Sequence, residues 1–200
     1  MIVADIDEAP LPDEHPGAMT CRLAEEKARA VALRLGAVDH DTLIVASDTT
    51  VALGDQIYGK PLDPADAKRM LLDLRDRAHQ VISAVSILHL PGDRQSTRVN
   101  TTTVVMRDYR ADEIDAYVAT GDPLDKAGAY GIQARDFDPV LRLEGCYAGV
   151  MGLPLADLAD LLGEFGVTVT ADIPQVCGVY NTFACCAATP AHRASIPLAD

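Results

Sequence analysis

Residues 81–106 read VISAVSILHLPGDRQSTRVNTTTVVM. Val81–Leu90 is an aliphatic run rich in β-branched residues, and Arg94–Met106 is a second run in which Val99, Thr101 and Thr103 alternate. Between them stand Pro91, Gly92 and Asp93, residues that turn a chain rather than continue a ladder. The pattern predicts a long antiparallel strand pair. The first run is too short to span a bilayer and carries Ser83, Ser86 and His89, so it reads as a buried strand.

Upstream, Thr42–Ala46 is a β-branched run that reaches Ser47-Asp48, which predicts a short buried strand ending there. Val51-Ala-Leu and Gln56-Ile-Tyr58 flank Gly54-Asp55 and predict a tight hairpin. From Ala18 to Leu35 the residues Cys21, Ala24, Ala28, Val31, Ala32 and Leu35 recur at helical spacing. Pro16 suits the first turn of that helix and Gly36 its end. Asp63-Pro64 opens a second helix with Ala67, Met70, Leu71 and Leu74 on one face. Downstream the pattern predicts a short helix over Asp112–Thr120 and a strand over Pro139–Leu143. A leucine-lined helix over Pro154–Phe165 and a last strand over Gly166–Val169 follow. Helices and strands alternate, but hairpins are frequent. The expected fold is therefore α/β, a mixed sheet with flanking helices rather than a purely parallel one.

The chain has 200 residues and a net charge of −13. The length fits one domain or two small lobes sharing a core. The charge argues against a nucleic acid polymer or an anionic membrane as partner, while a small phosphate ligand needs only a few local cations or amides. The five cysteines, Cys21, Cys146, Cys177, Cys185 and Cys186, form an odd and scattered set. Such a set is a poor disulfide framework, and the acidic start MIVADIDEAP lacks the regions of a signal peptide. A reducing, cytoplasmic setting is expected. Residues 171–200 are poor in charge and show no clear period, so residues 1–170 are expected to form the domain and the rest an extension. Cys177, Cys185, Cys186 and His192 in that extension lack the paired spacing of a structural zinc site.

Four segments concentrate polar residues that suit chemistry. Asp48, after an apolar run, reads either as a metal ligand or water activator, or as a cap of the following turn. Lys60, between Gly59 and Pro61, reads as a phosphate-binding point charge or as a solvated loop lysine. Lys27, after Glu26, has the same two readings on a helix, and Asp5-Ile-Asp7-Glu8 precedes it. In DKAGAYGIQ, residues 125–133, Gln133 reads as an amide that pairs with a base edge or as part of a turn-rich connection.

Taken in order, these segments resemble the Maf family of nucleotide pyrophosphatases. The resemblance runs from Asp7-Glu8 through RLAEEKARAVA (22–32), IVASDTTVALGDQIYGKP (44–61), AHQVISAV (78–85), TGDPLDKAGAYGIQ (120–133) and EGCYAGVMGLPL (144–155). It covers residues 4–169, and the order and number of matches make it specific. It implies a Maf/Ham-like, ITPase-like fold with two lobes around a cleft, acting as a homodimer. It implies hydrolysis of a nucleoside triphosphate to the monophosphate and pyrophosphate with a divalent cation, Mg2+ or Mn2+. Asp48 matches the catalytic proton acceptor. Glu8 and Asp48 match the metal-binding positions, and Lys27 and Lys60 match substrate-binding ones. Thr49 and Gln133 match positions tied to the base. The Asp-Thr pair and the Tyr-Gly-Ile-Gln run resemble the branch acting on dTTP and UTP. The family's opening strand and Ser-x-Ser-Pro-Arg-Arg loop have no counterpart, so the phosphate contacts of those arginines are expected to be wanting. The alternative this leaves is a catalytically impaired nucleotide-binding or cell-division regulatory protein.

Overall fold

The structure is a computed structural model that describes residues 1–37, 41–90, 92–179 and 183–188. Pro91 of the turn, His192 and residues 189–200 lie outside the described residues. The expected strand pair forms the middle of the sheet: β3 (Ala78–Leu90) and β4 (Arg94–Met106) pair antiparallel from Ala78↔Val105 to His89↔Arg94. β1 (Thr42–Leu53) lies along the other side of β3, from Thr42↔Leu90 to Ala52↔Gln80. β2 (Gln56–Tyr58) folds back on the end of β1, and β5 (Val140–Glu144) borders β4. The order is β2-β1-β3-β4-β5, with every pair antiparallel. Helices flank this sheet, so the α/β expectation holds with a sheet that contains no parallel pair among the described residues.

Two expectations need correction. β1 does not stop at Ser47-Asp48 but continues to Leu53, because Asp48 and Thr49 pair with Ala84 and Ser83 of β3. Polar side chains do not end a strand whose backbone groups are satisfied by a neighbour. Gly166–Val169 forms no strand. There the Val167 amide donates to the Leu162 carbonyl at 2.9 Å, closing the preceding helix instead of joining a ladder.

The helices follow their sequence signals. α1 (Pro16–Leu35) begins at His15, whose Nδ1 accepts from the Gly17 amide at 3.2 Å, and ends at Gly36 with φ 68°. α2 (Pro64–Leu74) is capped by Asp63, which accepts from the Asp66 amide at 2.8 Å. These bonds satisfy donors that a helix start otherwise leaves open. α3 (Ala111–Ala119), α4 (Tyr147–Val150), α5 (Leu155–Glu164) and α6 (Ile173–Gly178) complete the α-helices of the described residues. None is long and apolar enough to cross a membrane.

The alternation of β1 and β3 decides what each face of the sheet meets. Ile44, Ala46 and Leu88 pack with Ala28 and Val31 of α1. Leu43, Val85 and Ile87, one residue out of phase, pack with Leu161 of α5. At the other end of the strands, Val81, Val104 and Met106 join Met70, Leu71 and Leu74 of α2 and Ile114 of α3 in the largest cluster. Each such aliphatic side chain stabilises by about 1.5–3 kcal/mol when fully buried. The tail packs here too, with Phe183 against Tyr147 at 6.1 Å between ring centroids.

Candidate active site

β2 reaches only Val51–Leu53, so among the described residues the outer edge of β1 from Thr42 to Thr50 has no strand neighbour. A cleft of about 560 Å³ opens along that edge at Ser47–Val51. Glu8, Lys27, Lys60, Lys126, Gln133 and Met151 are among the residues that wall it. Because side chains alternate along a strand, Asp48 points to the α1 face and Thr49 to the α4 face, yet both border the same open edge.

On the α1 face the groups are charged. Lys27 follows Thr20, Leu23 and Ala24 and precedes Ala28 and Val31 along the buried stripe of α1. It therefore points inward, which settles against a solvated helix face. Its Nζ donates to Asp48 Oδ1 at 2.6 Å and lies 2.8 Å from Glu8 Oε1. Burial works against the ammonium, but these two carboxylates outweigh it and hold Lys27 above its ordinary value. Burial lifts the proton affinity of Asp48 above the usual aspartate range, and Lys27 pulls it partly back. Asp48 is thus a desolvated carboxylate that takes a proton more readily than a surface aspartate does. Lys60 is exposed on the rim, close enough to Asp48 to stabilise its charge, and makes no ion pair of its own among the described residues. An unpaired ammonium on a cleft rim is available to a phosphate oxygen.

On the α4 face the groups are neutral. Thr49 Oγ1 lies 2.8 Å from Ser83 Oγ, directly across the β1–β3 pair. Ser83, 1 % exposed, donates to the Gly149 carbonyl of α4 at 2.7 Å. α4 is fixed in turn: Cys146 Sγ accepts from the Gly149 amide at 3.2 Å, and the Cys146 amide donates to Thr102 Oγ1 at 2.8 Å. Gly145 before it has φ 138°, and a Cβ there would stand 2.5 Å from Thr102 Oγ1. Lower on the same face His79 Nε2 and the Tyr130 hydroxyl are 2.7 Å apart, and burial lowers His79 to about 4.

The segment 125–133 closes the far wall. Gly128, at φ 69°, brings its amide to the Gly59 carbonyl at 3.1 Å. A Cβ there would meet Val51 at 3.0 Å, so this glycine fixes the approach of the 125–133 segment to the Lys60 loop. Lys126 is held by Asp122 and Asp125 at 3.0 and 2.7 Å. Gln133 is exposed to the cleft, and its amide has no protein partner among the described residues.

Glu8, Lys27, Asp48, Thr49, Lys60 and Gln133 thus all line one cleft, although they are dispersed from residue 8 to residue 133. Ser83 and Gly149 belong to this site without a local sequence pattern that assigns them to it. A hydroxyl within an apolar strand was a signal for Ser83, but its relation to Thr49 depends on register, which no local pattern carries.

The profile of the family described as Maf-like protein matches residues 1–165. The chain is 43% identical to a dTTP/UTP pyrophosphatase of Nitrosomonas europaea over 167 residues, 83% of this chain and 80% of that protein. It is 46% identical to a dTTP/UTP pyrophosphatase of Dictyoglomus turgidum over 129 residues, 64% of this chain and 67% of the relative. A dTTP/UTP pyrophosphatase of Chromobacterium violaceum is 44% identical over 168 residues, 82% of this chain and 83% of its own length.

Proposed function

From the Maf-like family, to which this chain belongs, we infer that it hydrolyses dTTP and UTP to the nucleoside monophosphate and pyrophosphate. The observation that carries this reading is the cleft along the outer edge of β1, where a desolvated aspartate shares one opening with a lysine and an amide that have no partner among the described residues.

In this reading Asp48 accepts a proton from a water molecule as its oxygen attacks the α-phosphorus. The bond from that phosphorus to the α–β bridging oxygen breaks, and pyrophosphate leaves with the electron pair. Lys27 and Lys60 hold the negative charge that gathers on the phosphoryl oxygens. Thr49 and Gln133 contact the pyrimidine. A divalent cation fits the donor set: Glu8 and Asp48 already converge on one Lys27 ammonium, and Mg2+ takes one or two carboxylates together with substrate phosphates and water. Held by Glu8 and Asp48, it would neutralise phosphate charge. The family resemblance extends the reading to a cytoplasmic homodimer.

The test is the specificity constant with dTTP, UTP, ATP and GTP under Mg2+ and under Mn2+. The pyrimidine substrates should be favoured roughly 5- to 150-fold, since an amide covered by the wrong base and left unsatisfied costs about 1–3 kcal/mol. Equal constants for UTP and GTP would contradict the assignment of Thr49 and Gln133.

A further inference from the structure

The protons of the Thr49–Ser83–Gly149 chain can be counted. A hydroxyl has one hydrogen to donate. The Ser83 hydrogen goes to the Gly149 carbonyl, which can only accept, at 2.7 Å. Ser83 Oγ therefore meets Thr49 Oγ1 as an acceptor at 2.8 Å, and Thr49 spends its own hydrogen on Ser83. Ser83 is buried and walled in by α4, so no solvent rotates this arrangement. What Thr49 presents to the cleft is lone pairs.

We propose that Ser83 is a positioning residue that fixes Thr49 as a hydrogen-bond acceptor, so that the cleft selects a base carrying an N–H at the atom facing Thr49. This rests on the reading above that the nucleobase lies against Thr49. In a uracil or thymine nucleotide the ring has a single N–H, at N3, because N1 carries the sugar. Cytosine presents a lone pair at N3, and an acceptor facing it finds no hydrogen. The selection against cytosine thus originates in a residue that lines no part of the cleft. The Gly149 carbonyl also accepts from the Gly152 amide at 2.8 Å. Removing the Ser83 hydroxyl consequently leaves no buried carbonyl without a partner, and the fold should tolerate the change.

The experiment measures kcat and KM for UTP, CTP and the triphosphate of 3-methyluridine, which lacks the N3 hydrogen. It uses the full chain and the variants Ser83→Ala, Ser83→Cys, Ser83→Thr and Thr49→Ala. The unaltered protein should favour UTP over both other nucleotides. Ser83→Ala frees the Thr49 hydrogen to turn toward the cleft, so the UTP to CTP ratio of kcat/KM should fall about tenfold. The fall should come from a higher KM for UTP and a gain with CTP, with kcat for UTP within about twofold. Ser83→Cys, whose thiol is a weak donor and acceptor, should act in the same direction should the alanine variant fail to fold. Ser83→Thr keeps the hydroxyl and should keep the ratio, an outcome that loss of packing alone does not explain. A ratio unchanged in Ser83→Ala or Ser83→Cys but lost in Thr49→Ala overturns the role of Ser83 and leaves the base against Thr49. A ratio unchanged in Thr49→Ala as well removes the base from Thr49 and overturns both.

Discussion

Asp48 and Thr49 are adjacent in sequence and belong to opposite layers of the molecule. On the α1 face, Asp48, Lys27 and Glu8 form a charged triad in which burial and ion pairing oppose each other. On the α4 face, Thr49, Ser83 and the Gly149 carbonyl form a neutral chain in which every hydrogen has a place. In the proposed function the first arrangement sets how readily a proton moves, and the second sets which hydrogen-bonding pattern is admitted. One strand, which has no strand neighbour beside Asp48 and Thr49 on its outer edge among the described residues, delivers both to the same cleft, because a period of two residues puts neighbours on opposite faces. Rate and selectivity should therefore be separable by mutation.

The largest effect is expected on the charged face. Asp48→Asn keeps the shape but removes the proposed proton acceptor, and kcat should fall by roughly 10²–10⁴-fold. Lys27 keeps Glu8 at 2.8 Å, so the variant should remain folded by circular dichroism. Near-normal turnover in a folded Asp48→Asn protein would remove Asp48 from the chemistry and collapse the contrast between the faces.

The neutral face should fail by packing rather than by charge. Gly145→Ala would set a methyl 2.5 Å from Thr102 Oγ1 and 2.9 Å from Thr102 Cα at a φ of 138°. Overpacking and backbone strain together should cost roughly 2–5 kcal/mol of unfolding free energy, read from denaturant titration. An unchanged midpoint would show that the Gly145–Thr102 approach does not brace α4.

The smallest effect is a slope with pH. Burial lowers His79 from 6.5 to about 4, so the unfolded chain takes up the proton first as pH falls. The stability tied to neutral His79 is present above about pH 6.5 and is lost toward pH 4, by up to roughly 3 kcal/mol. The difference in unfolding free energy between the unaltered protein and His79→Gln should narrow over that window, since carboxylates common to both cancel. A constant difference would mean that His79 gains a proton in the folded state as easily as in water.

Much of this architecture was legible in the residues themselves. The β3–β4 pair, the Asp63-Pro64 helix start and the Gly36 helix end follow from local rules of turn, cap and stop, and the structure places each where those rules put it. Polarity at Ser47-Asp48 suggests a strand end, but the backbone of Asp48 is paired by Ala84 and its side chain by Lys27. Lys27 remained ambiguous because the neighbouring Glu26 looks solvated, and only the stripe of Leu23, Ala28 and Val31 shows which way it points. Ser83 and α4 were beyond local reading: their meaning comes from strand register and from a chain segment that returns after residue 144, both products of tertiary packing. The open edge of β1 is likewise a property of the sheet as a whole.

The proposed reaction cuts a nucleoside triphosphate between its α and β phosphates with Asp48 as proton acceptor. Phosphorus-31 NMR of dTTP with the purified protein and Mg2+ reads each product of that cut. The expected result is dTMP and pyrophosphate in equal amounts, with no dTDP, and loss of both signals in Asp48→Asn. Release of orthophosphate with dTDP, or pyrophosphate formation that survives Asp48→Asn, would contradict it.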